Sequence, residues 1–256
     1  MSFFSLVGME FKKIRRSKII WVLLLPVILL WIPPVLNADI NFTMQTEGIS
    51  PENNFFIQSF MGFSWFMFPA GMVICTVMLN QTERSNKGIL KMLALPVSPA
   101  KLALAKFFVL LALAAVQMAF MAALYFPSAA AASSLQDYDF MLSPLEIIRE
   151  TVVIYLASIP MASVFWLLAV CIETPVFSVG IGLASIVPSV LMLNTKAWFL
   201  YPMTYPFFLV TSKMHELASN MGEFTVDIVP WVWAAAIITI LCLAGACFRF
   251  GQAERR

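Results

Sequence analysis

Few side chains in this sequence have the types and spacing that chemistry at an active site requires. The one histidine, His215, stands beside Glu216, and a metal centre needs more ligands than this pair supplies. Apolar stretches contain or border all four cysteines: Cys75, Cys171, Cys242 and Cys247. Cys242 and Cys247 are five residues apart, which is not a zinc-finger spacing, so we interpret the cysteines as small residues in helix packing.

Motifs of known enzyme classes are also missing from the sequence. The chain has no H-E-x-x-H zinc motif, no G-x-S-x-G nucleophile elbow and no G-x-x-x-x-G-K-[ST] phosphate loop. It therefore cannot hydrolyse a nucleotide through a phosphate loop. We predict that the chain is not an enzyme and that it has no catalytic, cofactor or metal site of its own.

The composition excludes several classes of soluble protein. Apolar residues make up 61% of the 256 residues and charged residues 12%, and the mean hydropathy is +0.88. Soluble domains are about 45–50% apolar and about 25% charged. A soluble globule could not hide this much apolar surface, so a soluble enzyme, a disordered chain and a nucleic-acid-binding domain are excluded.

Six charge-free stretches of 20 residues or more predict membrane-spanning helices. About 20 apolar residues cross a hydrocarbon layer of about 30 Å, and a helix bonds every backbone group internally. We place spans one to six near residues 19–36, 58–79, 107–126, 150–171, 176–194 and 229–248. A further apolar stretch, 197–212, is too short to cross. The predicted fold is an all-α integral membrane protein with six transmembrane helices.

The charges predict how this protein is oriented. The chain ends and the loop after span two carry 13 of the 16 basic residues, and the two sides of the membrane total +9 and −7. By the positive-inside rule the basic side is cytoplasmic. Both termini and the loop 80–106 are therefore predicted inside, and the loops near 37–57, 127–149 and 195–228 outside.

The N-terminal segment, residues 1–18, has an amphipathic pattern. Its apolar residues recur at helical spacing: Phe3, Phe4, Val7, Phe11 and Ile14. Its basic residues lie mostly on another side: Lys12, Lys13 and Arg16. The pattern predicts an interfacial helix with basic side chains near anionic headgroups. The alternative is the ordinary positive flank of a first span.

The cytoplasmic loop from Asn80 to Lys106 is the second patterned segment. A short helix could carry an apolar stripe of Ile89, Leu90, Leu93, Ala94 and Val97. Charge beside the stripe comes from Arg84, Lys87 and Lys91. Pro96 and Pro99 would end this helix, because proline lacks a backbone donor and restricts the residue before it. The residues alone leave open whether the stripe contacts a protein partner or lipid.

The same loop resembles a known family. Glu83-Arg84, Gly88-Ile89-Leu90, Leu95-Pro96-Val97-Ser98 and Lys106 are similar to the permeases of type-2 ABC exporters, the ABC-2 superfamily. The chain length and the segment Ser50-Pro51-Glu52-Asn53-Asn54-Phe55-Phe56 resemble the bacitracin-resistance and lantibiotic-immunity permeases. Ala105 stands where the family often has glycine, and Ser85 where an acid is common.

The resemblance implies that residues 1–256 form a single ABC-2 type transmembrane domain in a bacterial cytoplasmic membrane. It implies that the loop 80–106 holds a coupling helix that docks into a separate ABC ATPase dimer, which binds ATP and Mg. The residues assigned to ATPase coupling are Glu83, Arg84, Lys87, Gly88, Ile89, Leu90, Lys91, Leu93, Leu95 and Pro96. A second permease, identical or homologous, would complete the pathway.

Two further expectations concern spans five and six. The resemblance implies that the aromatic stretch 198–208, within the outer loop 195–228, forms a re-entrant hairpin before span six, and an interfacial anchor is the alternative. Span five carries small residues on one face, which favours close helix packing over the lining of a cleft. These residues are Ser178, Gly182, Ser185 and Ser189.

The scarcity of charge within the spans limits the mechanism. Only Glu173 comes near, and we interpret Glu173-Thr174-Pro175 as a solvated cytoplasmic turn between spans four and five. The expected cargo is therefore an amphipathic peptide or a hydrophobic drug, moved by an ATP-driven exporter. Two alternatives stay open: a non-transporting immunity or sensor subunit, and a secondary transporter or channel.

Overall fold

The structure is a computed structural model of the chain that describes residues 2–15, 17–84, 98–218 and 228–252. All regular secondary structure in these ranges is helical, and six of the helices are long and apolar enough to cross a membrane. The six spans are Ile19–Leu36, Pro51–Gln81, Pro99–Gln136, Pro144–Cys171, Pro175–Leu193 and Ile228–Gln252. The six-span prediction is confirmed, and the chain is an all-α integral membrane protein.

An additional helix, Phe3–Arg15, precedes span one, and we call it the N-terminal helix. It agrees with the helix predicted within residues 1–18, and its place at the membrane interface stays a prediction. A 3-10 helix, Ala38–Glu47, follows span one. Gly48 ends this 3-10 helix with a φ of 84°, in the left-handed region that favours glycine.

Spans two and three begin earlier than predicted. Pro51 and Pro99 each occupy the first turn of a helix, where a missing backbone donor costs nothing. The Ser98 side chain caps span three by accepting from the Lys101 amide at 3.3 Å. Residues 51–57, 99–106 and 127–136, which the charge pattern assigned to loops, are therefore helical. Charged residues mark the boundary of the hydrocarbon layer, whereas capping residues and prolines mark where a helix begins or ends.

Three spans contain irregular turns near prolines. Span two consists of the α-helices Pro51–Gly62 and Phe68–Arg84, the second running beyond the span, joined by the π-helical turn Phe63–Met67. Span four comprises Pro144–Ala157 and Ile159–Cys171, and span five comprises Pro175–Ala184 and Ser189–Leu193. Pro69, Pro160 and Pro188 lie at these interruptions. Proline favours an irregular turn because it cannot donate a backbone hydrogen bond within a helix and crowds the preceding turn.

The aromatic stretch before span six is helical and packed. Two 3-10 turns, Trp198–Leu200 and Pro202–Thr204, lead into the helix Tyr205–Leu217, which we call the outer helix. The rings of Trp198 and Phe208 stack with centroids 3.8 Å apart. The outer helix packs against the first helices of spans two and four. That this segment re-enters the membrane stays a prediction.

The N-terminal helix, the start of span three and the end of span six lie together, as an even number of spans requires. The N-terminal helix packs on span three, and a Cβ added to Gly251 would lie 3.9 Å from the Pro99 Cβ. We call this the basic end of the bundle, since the positive-inside rule assigns it to the cytoplasm. The opposite end, which carries most of the acidic residues, is the acidic end.

Candidate functional site

The structure describes two of the ten predicted coupling residues. Glu83 and Arg84 end the helix Phe68–Arg84. The other eight lie outside the described residues: Lys87, Gly88, Ile89, Leu90, Lys91, Leu93, Leu95 and Pro96. The described part of the site is therefore the pair of helix ends from which the loop emerges, and we call these the loop roots: residues 79–84 and 98–106.

A buried ion pair joins the N-terminal helix to both loop roots. The Lys106 ammonium donates to the Glu10 carboxylate at 2.7 Å, and their side chains are only 1% and 2% exposed. Lys106 also donates to the Leu79 carbonyl at 3.4 Å. Lys13, whose side chain is 35% exposed, binds the other oxygen of Glu10 at 2.5 Å. One carboxylate therefore holds the end of span two and the start of span three through a single lysine.

The helices around this pair explain why both charges are buried. Leu6 and Ile14 lie one turn either side of Glu10 and are also buried, so these three residues form the protein-facing side of the N-terminal helix. Lys106 lies seven residues after Pro99, on the side of span three that also buries Leu102. Each charge therefore faces the opposing helix and not the solvent.

The structure divides the predicted apolar face of the N-terminal helix between two surroundings. Phe4 is 83% exposed and Phe11 is 43% exposed, whereas Ile14 is buried. The side of the helix that contacts protein, with Glu10 and Ile14, is therefore rotated by part of a turn from the side that carries Phe4 and Phe11. The reason is that burying Glu10 opposite Lys106 fixes the rotation of the helix, because an unpaired buried charge would be costly.

The environment of Glu10 keeps its carboxyl ionised. Burial raises the pKa of Glu10, but the charge and hydrogen bonds of Lys106 and Lys13 outweigh burial, and the pKa lies below its ordinary value. At neutral pH the carboxylate is negative and can hold both lysines. Glu10 and its two lysines therefore form an ionic contact at neutral pH.

Two further contacts fasten the loop roots to other spans. The buried Asn80 amide donates to the Ala169 carbonyl, which joins the end of span two to the end of span four. The Cys247 thiol lies 3.8 Å from the Ala100 carbonyl, which joins span six to the start of span three. A displacement of the loop roots therefore reaches spans four and six directly.

The basic-end half of span two packs tightly on spans three and five. A Cβ at Gly71 would lie 2.9 Å from the Gln117 side-chain amide. A Cβ at Gly182 would lie 2.6 Å from the Val73 Cγ1, and Gly182 is buried in this contact. The packing interpretation of the small face of span five is confirmed at Gly182 and at the buried Ser178 and Ser189, while Ser185 is half-buried.

Polar contacts also brace the acidic end. The Tyr138 hydroxyl donates to Glu52 at 2.5 Å, and this hydrogen bond, with burial, raises the pKa of Tyr138 to about 12. Lys213 on the outer helix bridges Glu146 at 3.1 Å and Glu150 at 3.5 Å. Burial lowers the pKa of Lys213, but these carboxylates outweigh burial and raise it. The Lys213 ion pairs hold the outer helix against span four, and the Tyr138 hydrogen bond joins the segment after span three to span two.

Glu173 and the four cysteines are the other groups that the sequence analysis considered. Glu173 is exposed, which agrees with the solvated turn predicted between spans four and five. The four cysteines are free thiols. Across the described part of the chain, no group of three or more His, Cys, Asp or Glu side chains is placed to hold a metal ion.

Sequence analysis missed Glu10 as a site residue, and it named Lys106 as a loop charge and as part of the family resemblance but gave it no partner. One signal was available, because Glu10 is the only acidic residue among the first 18 and stands one helical turn from both Leu6 and Ile14. An acid within an apolar helical face indicates a buried partner. The identity of that partner, far along the chain, was not readable from the pattern.

Taken together, six apolar spans and a buried ion pair at the loop roots define a multi-pass membrane protein in which the helix ends flanking the loop are anchored in the bundle. Residues 6–189, more than half of the chain, match the family described as ABC-2 family transporter protein. The chain belongs to this family. It is the membrane permease component of an ABC transporter. Permeases of this family pair with an ABC ATPase in a lipid membrane. No match is found among curated proteins or solved structures.

Proposed function

We propose that this permease is a subunit of an ATP-driven exporter that moves an amphipathic or hydrophobic antimicrobial out of or off the membrane. The cargo class comprises lantibiotic-like or bacitracin-like peptides and hydrophobic drugs. An ABC ATPase dimer supplies ATP binding and hydrolysis, and a second permease, a copy or a homologue, completes the pathway. The observation that carries the proposal is the Glu10–Lys106–Leu79 arrangement at the loop roots of an ABC-2 family chain.

In this proposal the loop 80–106 receives the movement of the ATPase. ATP closes two ATPase subunits, and the residues around Gly88 and Leu95 follow that closure. A partner shifts a conformational equilibrium only by its differential affinity for the two states, so docking has to depend on the nucleotide state. Both loop roots continue into long helices, so a displacement of the roots is passed on to these helices.

The packing of the loop roots and of the adjoining turns of span two supports transmission of the loop movement into the bundle. Asn80 bonds to span four, Gly71 contacts Gln117 of span three, and Val73 contacts Gly182 of span five. Close-packed interiors transmit displacement because they have little free volume. The basic-end half of span two can therefore act as the element that carries loop movement to its neighbours.

An apolar groove on the described spans supports an apolar cargo. A groove of about 660 Å³ lies between span two and span five, near the acidic end. Its lining is apolar apart from Gln58, and it includes Met61, Gly62, Trp65, Val187, Val190, Leu191 and Phe207. Such a surface offers contacts to a hydrophobic or amphipathic molecule and offers no counter-charge to a small ion.

Transport by a reconstituted complex tests the proposal. The permease and its co-purifying ABC ATPase are placed in vesicles, and the movement of a fluorescent lantibiotic is followed with ATP and with a non-hydrolysable analogue. ATP-dependent export is expected. ATPase activity that responds to the peptide without moving it would indicate the sensor function, and movement by the permease alone under an ion gradient would indicate a secondary transporter.

A further inference from the structure

The N-terminal helix presents a second surface that the bundle does not cover. Phe4 and Phe11 are exposed on this helix, and Trp21 is exposed at the start of span one. Lys12 and Lys18 are exposed beside these aromatic residues. Aromatic rings next to lysines are typical of a membrane interface, where the rings enter the lipid and the ammonium groups meet phosphates.

Charge complementarity decides which surface this helix fits. Each exposed lysine near a bilayer gains about 1 kcal/mol from anionic lipid, which corresponds to about a fivefold change in binding per residue. The one acidic residue on the helix, Glu10, is buried against Lys106, so it does not oppose this attraction at the surface. The exposed side therefore fits an anionic phospholipid surface.

Lys13 stands at the border between the two sides of the helix. Its ammonium binds Glu10 at 2.5 Å, yet its side chain is 35% exposed. A lipid phosphate near Lys12 can therefore compete with Glu10 for Lys13. When the phosphate takes Lys13, the Glu10 carboxylate loses one of its two lysines and concentrates its charge on Lys106, which strengthens the link to the loop roots.

We propose that anionic phospholipid headgroups bind the exposed lysines of the N-terminal helix and thereby tighten the loop roots through Glu10 and Lys106. The interfacial helix is then a lipid-dependent regulator of the coupling loop. Only the consequence for transport rests on the proposed function. Lipid binding and the tightening of the loop roots are properties of this chain alone and can be measured without an ATPase.

The experiment measures hydrogen–deuterium exchange of the full-length permease in two kinds of vesicle. One contains phosphatidylcholine alone, and the other contains phosphatidylcholine with phosphatidylglycerol. For the unchanged protein, phosphatidylglycerol is expected to slow exchange in the N-terminal helix and in the loop roots, by about fivefold for each lysine engaged. Soluble inorganic phosphate at equal ionic strength is expected to have no such effect.

Three sets of variants separate the steps. K12Q with K18Q should weaken the lipid response of both segments, and K196Q at the acidic end is the matched control that should keep it. E10Q should keep the lipid response of the N-terminal helix and lose that of the loop roots. The N-terminal helix of E10Q is the internal control, because its retained lipid response shows that the loss at the loop roots does not come from misfolding.

Each result bears on the proposal directly. If phosphatidylglycerol leaves the exchange of the unchanged protein as it was, or if soluble phosphate reproduces its effect, the lipid surface is not the ligand. If the loop roots of E10Q respond as strongly as those of the unchanged protein, Glu10 does not carry the signal. Failure of ATP-driven export would leave these exchange results unaffected and would count against the proposed function alone.

Discussion

Glu10 and Lys106, 96 residues apart in the sequence, form an ion pair of 2.7 Å that is almost fully buried. A buried ion pair is weak evidence for stability by itself, because the desolvation of two charges offsets most of their attraction. The consequence of this ion pair is that it specifies the position of the N-terminal helix. The N-terminal helix has to sit where its carboxylate meets the loop roots, because either charge left alone in that site would be costly.

Removing one member of the pair should therefore destabilise the protein more than removing both. We expect K106M to lower the free energy of unfolding by about 3–5 kcal/mol, since Glu10 would remain buried with only Lys13 as a partner. E10L combined with K106M should recover most of this loss. Thermal unfolding of the detergent-solubilised variants measures both effects.

The matched control is K12M, which removes an exposed lysine from the same helix. Surface charges contribute about 0–1 kcal/mol, so this variant should unfold close to the unchanged protein. A K106M variant as stable as K12M would show that the ion pair does not hold the N-terminal helix in place.

The pH dependence of stability should report Glu10. Because its folded pKa lies below the ordinary value of 4.5, the ion pair contributes stability that is fully present above that value and is lost as the pH falls through the folded pKa. The unfolding temperature of the unchanged protein should therefore fall more steeply below about pH 4.5 than that of E10Q. Parallel pH profiles for the two proteins would contradict the assignment.

The contact between spans two and five gives a prediction about packing. G182A places a methyl group about 2.6 Å from the Val73 Cγ1, so a side chain or a helix must move. Overpacking of this kind costs about 1–3 kcal/mol. We expect G182A to lower the unfolding temperature, and the added substitution V73A to restore it by making room.

G180A is the matched control for this contact. A Cβ at Gly180 would meet no atom within 4 Å, although the residue lies in the same helix as Gly182. This variant should unfold at or above the temperature of the unchanged protein, because alanine favours the helix over glycine. Equal losses in G180A and G182A would mean that helix propensity rather than the Val73 contact is being measured.

The fold was largely predictable because the signal for a membrane span is local. A run of about 20 apolar residues specifies a crossing whatever its neighbours are, so all six spans follow from the sequence. Their ends were less predictable, since Pro51 and Pro99 start helices outside the charge-free stretches. The π-helical turn before Pro69 also escapes a pattern that counts only hydropathy.

The candidate site was predictable only in part, for a different physical reason. Helical periodicity identifies apolar faces, but lipid and protein are both apolar environments, so it cannot say which one a face meets. Phe4 and Ile14 share the predicted apolar face, yet only Ile14 is buried in protein. The pairing of Glu10 with Lys106 is a tertiary contact across two helices, and no local pattern encodes it.

The loop 80–106, which we propose couples the permease to the ATPase, gives the prediction closest to function. G88W places an indole in the centre of the segment proposed to dock, and it should abolish ATP-driven export while the permease still inserts in the membrane. Removal of residues 89–93 should have the same effect, because the docking stripe is lost. Export from vesicles measures transport, and co-purification of the ATPase measures docking. The control is N194W, which adds the same side chain to an exposed turn at the acidic end and should export normally. Since a docking partner drives the bundle only through its nucleotide-dependent affinity for the loop, a G88W permease that still binds its ATPase and exports at the unchanged rate would move the coupling site away from the loop 80–106.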